Sequence, residues 1–118
     1  MTYPEQLFKR FNEDYFNNRL WPLDIYFASL HIPEWGYCCR DYIMLSPVLK
    51  RYQLALEAIL LHEMIHAYLD EDDHTPEFNK IQRKLNKRHF GDKGNHRIHY
   101  EAMIKDLQKR GVYDKLYL

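Results

Sequence analysis

Residues 54–69 read Leu-Ala-Leu-Glu-Ala-Ile-Leu-Leu-His-Glu-Met-Ile-His-Ala-Tyr-Leu, without a Gly, a Pro, a Lys or an Arg. A stretch this long, free of breakers and rich in strong helix formers, predicts a helix, and Ala55, Ala58, Ile59, Met64, Ile65 and Leu69 give it surface to bury in a core. It also carries chemistry. His62 and His66 are four residues apart, so on a helix their imidazoles stack on one face a turn apart and both can turn a nitrogen to a single ion. Glu63 lies about 100° round the axis from His62, close to such an ion without entering its coordination sphere. This is the HExxH arrangement, in which the two histidines bind zinc and the glutamate serves as general base towards a water that the metal activates. The plainer reading makes His62 and His66 ordinary helix residues.

A catalytic zinc takes three protein ligands and leaves one position open for water, so a third ligand must come from beyond this helix. His74 is the first candidate. The run Asp70-Glu71-Asp72-Asp73 places like charges against the dipole at the helix C-terminus, which predicts that the helix stops there. Thr75-Pro76-Glu77 then has the pattern of a new start, with Thr75 as cap, Pro76 at the first helical position and Glu77 in the first turn. His74 would sit at the mouth of that second helix, where the chain can turn back towards His62 and His66. Glu77 is a competing ligand, although it lies only a few residues into the next helix. His89, His96 and His99 also stay open.

With 118 residues the chain suits one domain spanning 1–118, with a single core. An apolar fraction of 46% and ten tyrosines favour an ordered globule over disorder. No apolar run approaches eighteen residues, so no membrane span is expected, and Met-Thr-Tyr-Pro-Glu does not read as a secretion signal. The only cysteines, Cys38 and Cys39, are adjacent; they close no useful loop and form no CxxC pair, which points to a cytoplasmic protein. The formal net charge is zero but unevenly spread. Between Tyr52 and Asn79 there are seven acidic residues and no Lys or Arg, whereas residues 80–110 hold ten basic residues against three acidic ones. The basic third is a candidate surface for DNA or another polyanion. The alternative is two solvated helix faces paired back to the acidic loop.

The rest of the chain predicts an α+β fold. Glu5 to Asn18 reads as a helix with Leu7, Phe8, Phe11 and Tyr15 on its apolar stripe, closed by Asn17-Asn18. Ile25 to Leu30, Gly36 to Arg40 and Tyr42 to Leu45 read as three short strands, the last two turned about Arg40-Asp41. His31-Ile32-Pro33-Glu34 is a connection. Together they predict a small, mostly antiparallel sheet, and the strand after Gly36 is expected at its edge, where an extended peptide can add beside the metal. Pro76 to Arg88 is an amphipathic helix with Phe78, Ile81 and Leu85 on its stripe; Phe90 to Asn95 is a loop; His96 to Arg110 is a last helix with Gly111 at its stop. The tail Val112 to Leu118 is apolar enough to pack on the body.

These stretches resemble the SprT-like metalloprotease family, a human member of which acts in repair of protein–DNA crosslinks. The resemblance is carried by Phe11-Asn12, Phe16-Asn17-Asn18-Arg19-Leu20, Trp35-Gly36-Tyr37-Cys38, Ile43-Met44-Leu45-Ser46-Pro47, Leu61-His62-Glu63-Met64-Ile65-His66-Ala67 and His74-Thr75-Pro76-Glu77-Phe78, across about residues 7–90. It implies a zincin-like protease domain, zinc held by His62, His66 and His74, and Glu63 as the catalytic carboxylate. Two departures stand out: Thr75 replaces the Gly that usually follows the third histidine, and only seven residues separate the second and third ligands.

The expected function is a zinc-dependent endopeptidase, a monomer acting on a protein or peptide substrate, with DNA-associated proteins as one substrate class. A zinc-stabilised nucleic-acid-binding module and a zinc hydrolase of non-peptide amides are the alternatives. Tyr68, His96, Arg97, His99 and Tyr100 are candidates to stabilise the oxyanion, with Arg97 or His99 preferred. Asp70, Asp73 and above all Glu101 are candidates to orient the ligand imidazoles.

Overall fold

The structure, a computed structural model, describes residues 1–28, 35–91 and 96–111, apart from the side chain of His96. Helix α1 spans Tyr3–Tyr15 and buries Leu7, Phe8 and Phe11. It starts two residues before the expected Glu5, because Thr2 accepts the Glu5 N–H and Pro4 suits the first turn. It ends where Asn17 and Asn18 adopt left-handed backbone, φ 52° and 59°, a conformation that Asn tolerates better than most residues. The Asn12 side chain then bonds both the N–H and the carbonyl of Leu20, each at 3.2 Å, and so fixes the path of the chain out of the helix.

Strands β1 (Asp24–Phe27), β2 (Gly36–Cys38) and β3 (Tyr42–Leu45) form one sheet in the order β1-β3-β2. The expected mostly antiparallel sheet is corrected here: β2 pairs antiparallel with β3, but β1 pairs parallel with it, Ile25 opposite Ile43, so the sheet is mixed. The reversal follows from the insertion of β3 between the two earlier strands, so that β1 never pairs with the strand that follows it. Cys39 N–H donates to the Tyr42 carbonyl and closes the β2–β3 hairpin about Arg40-Asp41, as the sequence suggests. β2 lies at the sheet edge. Ile25, Ile43 and Leu45 turn into the core, while Tyr26 and Tyr37 on the opposite face stay exposed. Residues 29–34, which hold the end of the expected first strand and the connection His31 to Glu34, lie outside the described residues.

Ser46 caps a short 3-10 turn, Pro47–Arg51, that leads into helix α2, Gln53–Leu69. Helix α3 covers Pro76–Phe90, two residues beyond the expected Arg88, and helix α4 covers His96–Lys109. The α2 helix is central: α3, α4, β2 and β3 all pack on it. Its Ala55, Leu56, Leu60, Leu61, Met64 and Ile65 join Phe11, Ile43, Leu45, Phe78, Leu85, Met103 and Leu107 in one buried cluster. Two hydrogen bonds tie α4 down: Trp35 Nε1 donates to the Tyr100 hydroxyl at 2.6 Å, and the Tyr52 hydroxyl donates to Asp106 Oδ2 at 2.5 Å. Among the described residues no helix is long and apolar enough to cross a membrane. Residues 92–95 of the expected loop and the tail 112–118 lie outside the described residues.

Candidate metal centre

The fold brings His62, His66 and His74 together. One ligand atom from each ring lies within 4.8 Å of the other two, and no other group of three or more metal-ligating side chains forms among the described residues. His62 and His66 project from one face of α2, their ring centroids 4.9 Å apart. His74 reaches them because the chain reverses sharply after Leu69. Asp70 takes the left-handed conformation, φ 52°, and the Asp70 and Glu71 N–H groups satisfy carbonyls of the last helical turn. Thr75 then caps α3 by accepting the Phe78 N–H at 3.2 Å, and its hydroxyl donates to the Glu71 carboxylate at 3.0 Å. The acidic run therefore does local work: Asp70 turns the chain and Glu71 ties the turn to the next helix.

The orientation of the rings suits a cation. His62 Nδ1–H donates to Gln82 Oε1 at 2.5 Å, and His66 Nδ1–H donates to the Glu71 backbone carbonyl at 2.9 Å. Both acceptors are carbonyl oxygens, so in the neutral rings the proton sits on Nδ1 and the Nε2 lone pair is left for a metal. Burial lowers the His66 pKa, the bond to Glu71 pulls the other way, and neighbouring His74 lowers it again; the net shift is downward, towards the neutral ligand form. The Nε2 atoms of His66 and His74 are 3.3 Å apart. Two nitrogens on a tetrahedral ion with bonds of about 2.0–2.1 Å are separated by about this length. The residues present thus fit a zinc ion by number and by donor type, and the His66–His74 pair also by spacing.

Phe78 forms the floor of the site. It is fully buried, and its ring lies 4.4 Å from that of His66 and 4.9 Å from those of His62 and His74. Glu63 is 7% exposed and faces β2, where a Cβ at Gly36 would come within 3.0 Å of Glu63 Cγ and 2.8 Å of Ile59 Cγ2. Only a glycine lets the edge strand lie this close over the carboxylate. A cleft of about 800 Å³ opens beside His66, between Tyr37, Cys38 and Arg40 on the β2 side and Tyr68, Asp70 and Asp72 on the other. Cys38 faces this region, and burial, with the charge of Glu63 next in weight, pushes its thiol up to about 12.

The competing ligands whose side chains are described stay out of the imidazole cluster. Glu77 is exposed, and His89 is held by Glu57 at 2.7 Å and by Tyr15 at 2.6 Å. His99 packs against Phe90, ring centroids 4.4 Å apart, and is not part of the imidazole cluster; His96 opens α4, its side chain outside the described residues. Of the oxyanion candidates, Tyr100 is bonded to Trp35, the residue before β2, and Tyr68 lines the cleft. Two of the imidazoles are held by Gln82 and by a backbone carbonyl, and Glu101 is exposed on α4. Gln82 was missed because a polar residue four after Phe78, on the buried stripe of an amphipathic helix, has no local signature of its own. That placement is the one available signal, since a polar group on a buried stripe needs a partner.

No curated protein and no solved structure matches the chain. The pattern of the SprT-like family matches residues 4–104, from the first helix to the middle of α4. On that match, which takes in the three histidines, the capped turn between them and the edge strand above Glu63, the chain belongs to the SprT-like family.

Proposed function

We propose that the protein is a zinc-dependent endopeptidase of the zincin type. The convergence of His62, His66 and His74, with Gln82 and the Glu71 carbonyl fixing two of the rings, carries this reading. Zinc, when bound by these three, supplies a Lewis acid that activates a water and polarises the scissile carbonyl. Glu63 takes the proton from the attacking water and returns it to the leaving amine. Its low exposure and the close approach of β2 keep the carboxylate in place and limit competing solvent. Gly36 and Cys38 direct their backbone N–H and carbonyl groups away from β3, because the Trp35 carbonyl and the Cys39 N–H are the ones that pair with it. An extended peptide pairing with that free edge would lie along the cleft with little dependence on its sequence.

Zinc-loaded wild type is expected to cleave an unfolded protein substrate, and Glu63→Gln to lose at least about a hundredfold of that rate while binding zinc as before. Equal cleavage by the two proteins would remove Glu63 from its role.

A second reading, contact with DNA through residues 80–110, has one observation in its favour. Lys80, Arg83, Lys84, Lys87 and Arg88 of α3 are exposed, and none forms an ion pair among the described residues. In the proteolytic reading this surface would select substrates bound to DNA.

A further inference from the structure

The outer face of the sheet carries a row of large side chains that the metal chemistry does not use. Tyr26 of β1, Met44 of β3 and Tyr37 of β2 are in register across the three strands, and Tyr42 lies two residues from Met44 on the same face. The Tyr37 ring is 6.4 Å from that of Tyr42, which in turn is 5.9 Å from that of Tyr26. Tyr26 and Tyr37 are exposed, as are Trp21 and Tyr68, and Tyr37, Trp21 and Tyr68 all line the metal cleft. Of the exposed aromatic rings among the described residues, only Tyr3 belongs to neither the row nor the cleft lining. Exposed apolar surface gathered in one place marks a recognition site, unlike the usual single scattered residues.

The row ends at the free edge. Ser46 N–H donates to the Trp35 carbonyl and Cys39 N–H to the Tyr42 carbonyl, so by alternation Tyr37 turns its backbone groups to Met44 while Gly36 and Cys38 turn theirs outward. A peptide added antiparallel at this edge therefore bonds to Gly36 and Cys38, and its residue opposite Tyr37 takes a non-hydrogen-bonded position. There the facing Cα atoms come within about 4.5 Å and side chains on one face touch. The two-residue period of a strand fixes which face each side chain takes. Gly36 lies against Ile59 and Glu63, and Cys38 packs on the core, so substrate residues opposite those two send their side chains to the metal side. The residue opposite Tyr37 sends its side chain to the outer face, onto the Tyr37 ring and in line with the row.

We propose that Tyr37 is a specificity-determining residue, selecting substrates that carry an aromatic or large aliphatic side chain opposite it. The inference rests on the endopeptidase reading with the substrate paired to β2, and adds one selective subsite to a backbone pairing that is otherwise tolerant of sequence. Cross-strand pairs of an aromatic ring with another ring or a branched chain are favourable, and ring pairs gain beyond the area they bury. One substrate position is thereby selective for bulk, while its two neighbours answer to the metal side of the strand.

The test moves a single Phe, position by position, through a peptide of Gly, Ala, Ser and Thr, with zinc-loaded wild type and variants. In wild type the bond cut should follow the Phe at a constant offset, with kcat/KM at least about fivefold above that of the Phe-free peptide. Tyr37→Ser should lose the constant offset and bring that ratio within about twofold, while its zinc-induced rise in Tm matches wild type. Tyr37→Phe should keep both, because the ring and not the hydroxyl makes the contact, and so should Tyr3→Ser, which removes an exposed ring outside the sheet and cleft. Binding is read without turnover in zinc-loaded Glu63→Gln, by anisotropy of fluorescein-labelled forms of the same peptides. Tighter binding of the Phe peptides that a further Tyr37→Ser change abolishes, with no cleavage by wild type, would uphold the subsite and remove the endopeptidase reading. Cleavage without a constant offset, a Phe preference that survives in Tyr37→Ser, or its loss in Tyr37→Phe or Tyr3→Ser overturns the subsite and leaves the endopeptidase reading standing. Neither cleavage nor Phe-dependent binding overturns both.

Discussion

A hydrogen atom at residue 36 is what allows β2 to lie against Glu63. Gly36→Ala would put a methyl group 2.8 Å from Ile59 Cγ2 and 3.1 Å from Glu63 Oε2, so either the strand or the carboxylate must move. Overpacking of this kind costs about 1–3 kcal/mol. The variant should melt earlier, bind zinc normally and lose cleavage activity well beyond what its stability explains, as read by calorimetry, zinc titration and peptide turnover at one temperature. Gln82→Leu probes the other side. It removes the Gln82 carbonyl to which His62 Nδ1 donates, and zinc affinity should fall about 10–100-fold. Cys38 gives a pH test: with its thiol pushed up to about 12 it stays protonated and unreactive at pH 8, and its alkylation in a Cys39→Ser protein should rise only as pH climbs towards that value. Fast labelling of Cys38 at pH 8 would contradict the buried, acidic surroundings described for it. His62, Glu63, His66 and His74 could be read from the sequence because helical spacing and a capped restart are local facts. Gln82 could not: its partner lies twenty residues away, and only the packing of α3 on α2 brings the two together.

At the scale of elements, the turn between α2 and α3 decides whether the third imidazole arrives. Seven residues separate His66 from His74, and the reversal depends on a left-handed Asp70 and a capping Thr75. Asp70→Gly relieves the cost of that backbone and should leave stability unchanged or raise it by up to about 1 kcal/mol. Thr75→Ala removes the cap and the tie to Glu71, and should cost about 1 kcal/mol. It should also weaken zinc binding, because His74 is the residue next to the cap. Opposite signs for the two variants in the same denaturant series would check this account of the turn. The helices were readable in sequence to within a few residues, since caps, breakers and apolar stripes are local. The direction of β1 was not. Four residues state that a strand forms, but whether it runs with or against β3 depends on the path of the intervening chain, and a β2–β3 hairpin next to an earlier strand suggests an antiparallel meander by default. The 3-10 turn after Ser46 escaped notice for a related reason: Ser46-Pro47 marks both a strand end and a cap, and the second meaning needs the turn to be seen.

For the whole molecule, the metal site and the core share one helix. The α2 helix buries Leu60, Leu61, Met64 and Ile65 in the centre of the fold, while His62 and His66 leave from its remaining face and Phe78 of α3 supports all three imidazoles from below. Metal binding should therefore stabilise the fold as a unit, because the ligand set exists only when α2, the turn and α3 are in register. A ligand that binds only the folded state at a free concentration a hundred times its dissociation constant adds about 2.7 kcal/mol. For a chain of this size that corresponds to a rise in Tm on the order of 10 °C. Zinc added to metal-free wild type should produce such a rise, His74→Ala should lose most of it, and Glu63→Gln should keep it, since that carboxylate lies outside the proposed coordination sphere. The same titration at lower pH should give a smaller rise, because protons compete with the metal for the imidazole lone pairs. A full Tm shift in His74→Ala would show that zinc binds elsewhere, and with it would go the assignment of the three imidazoles as one site.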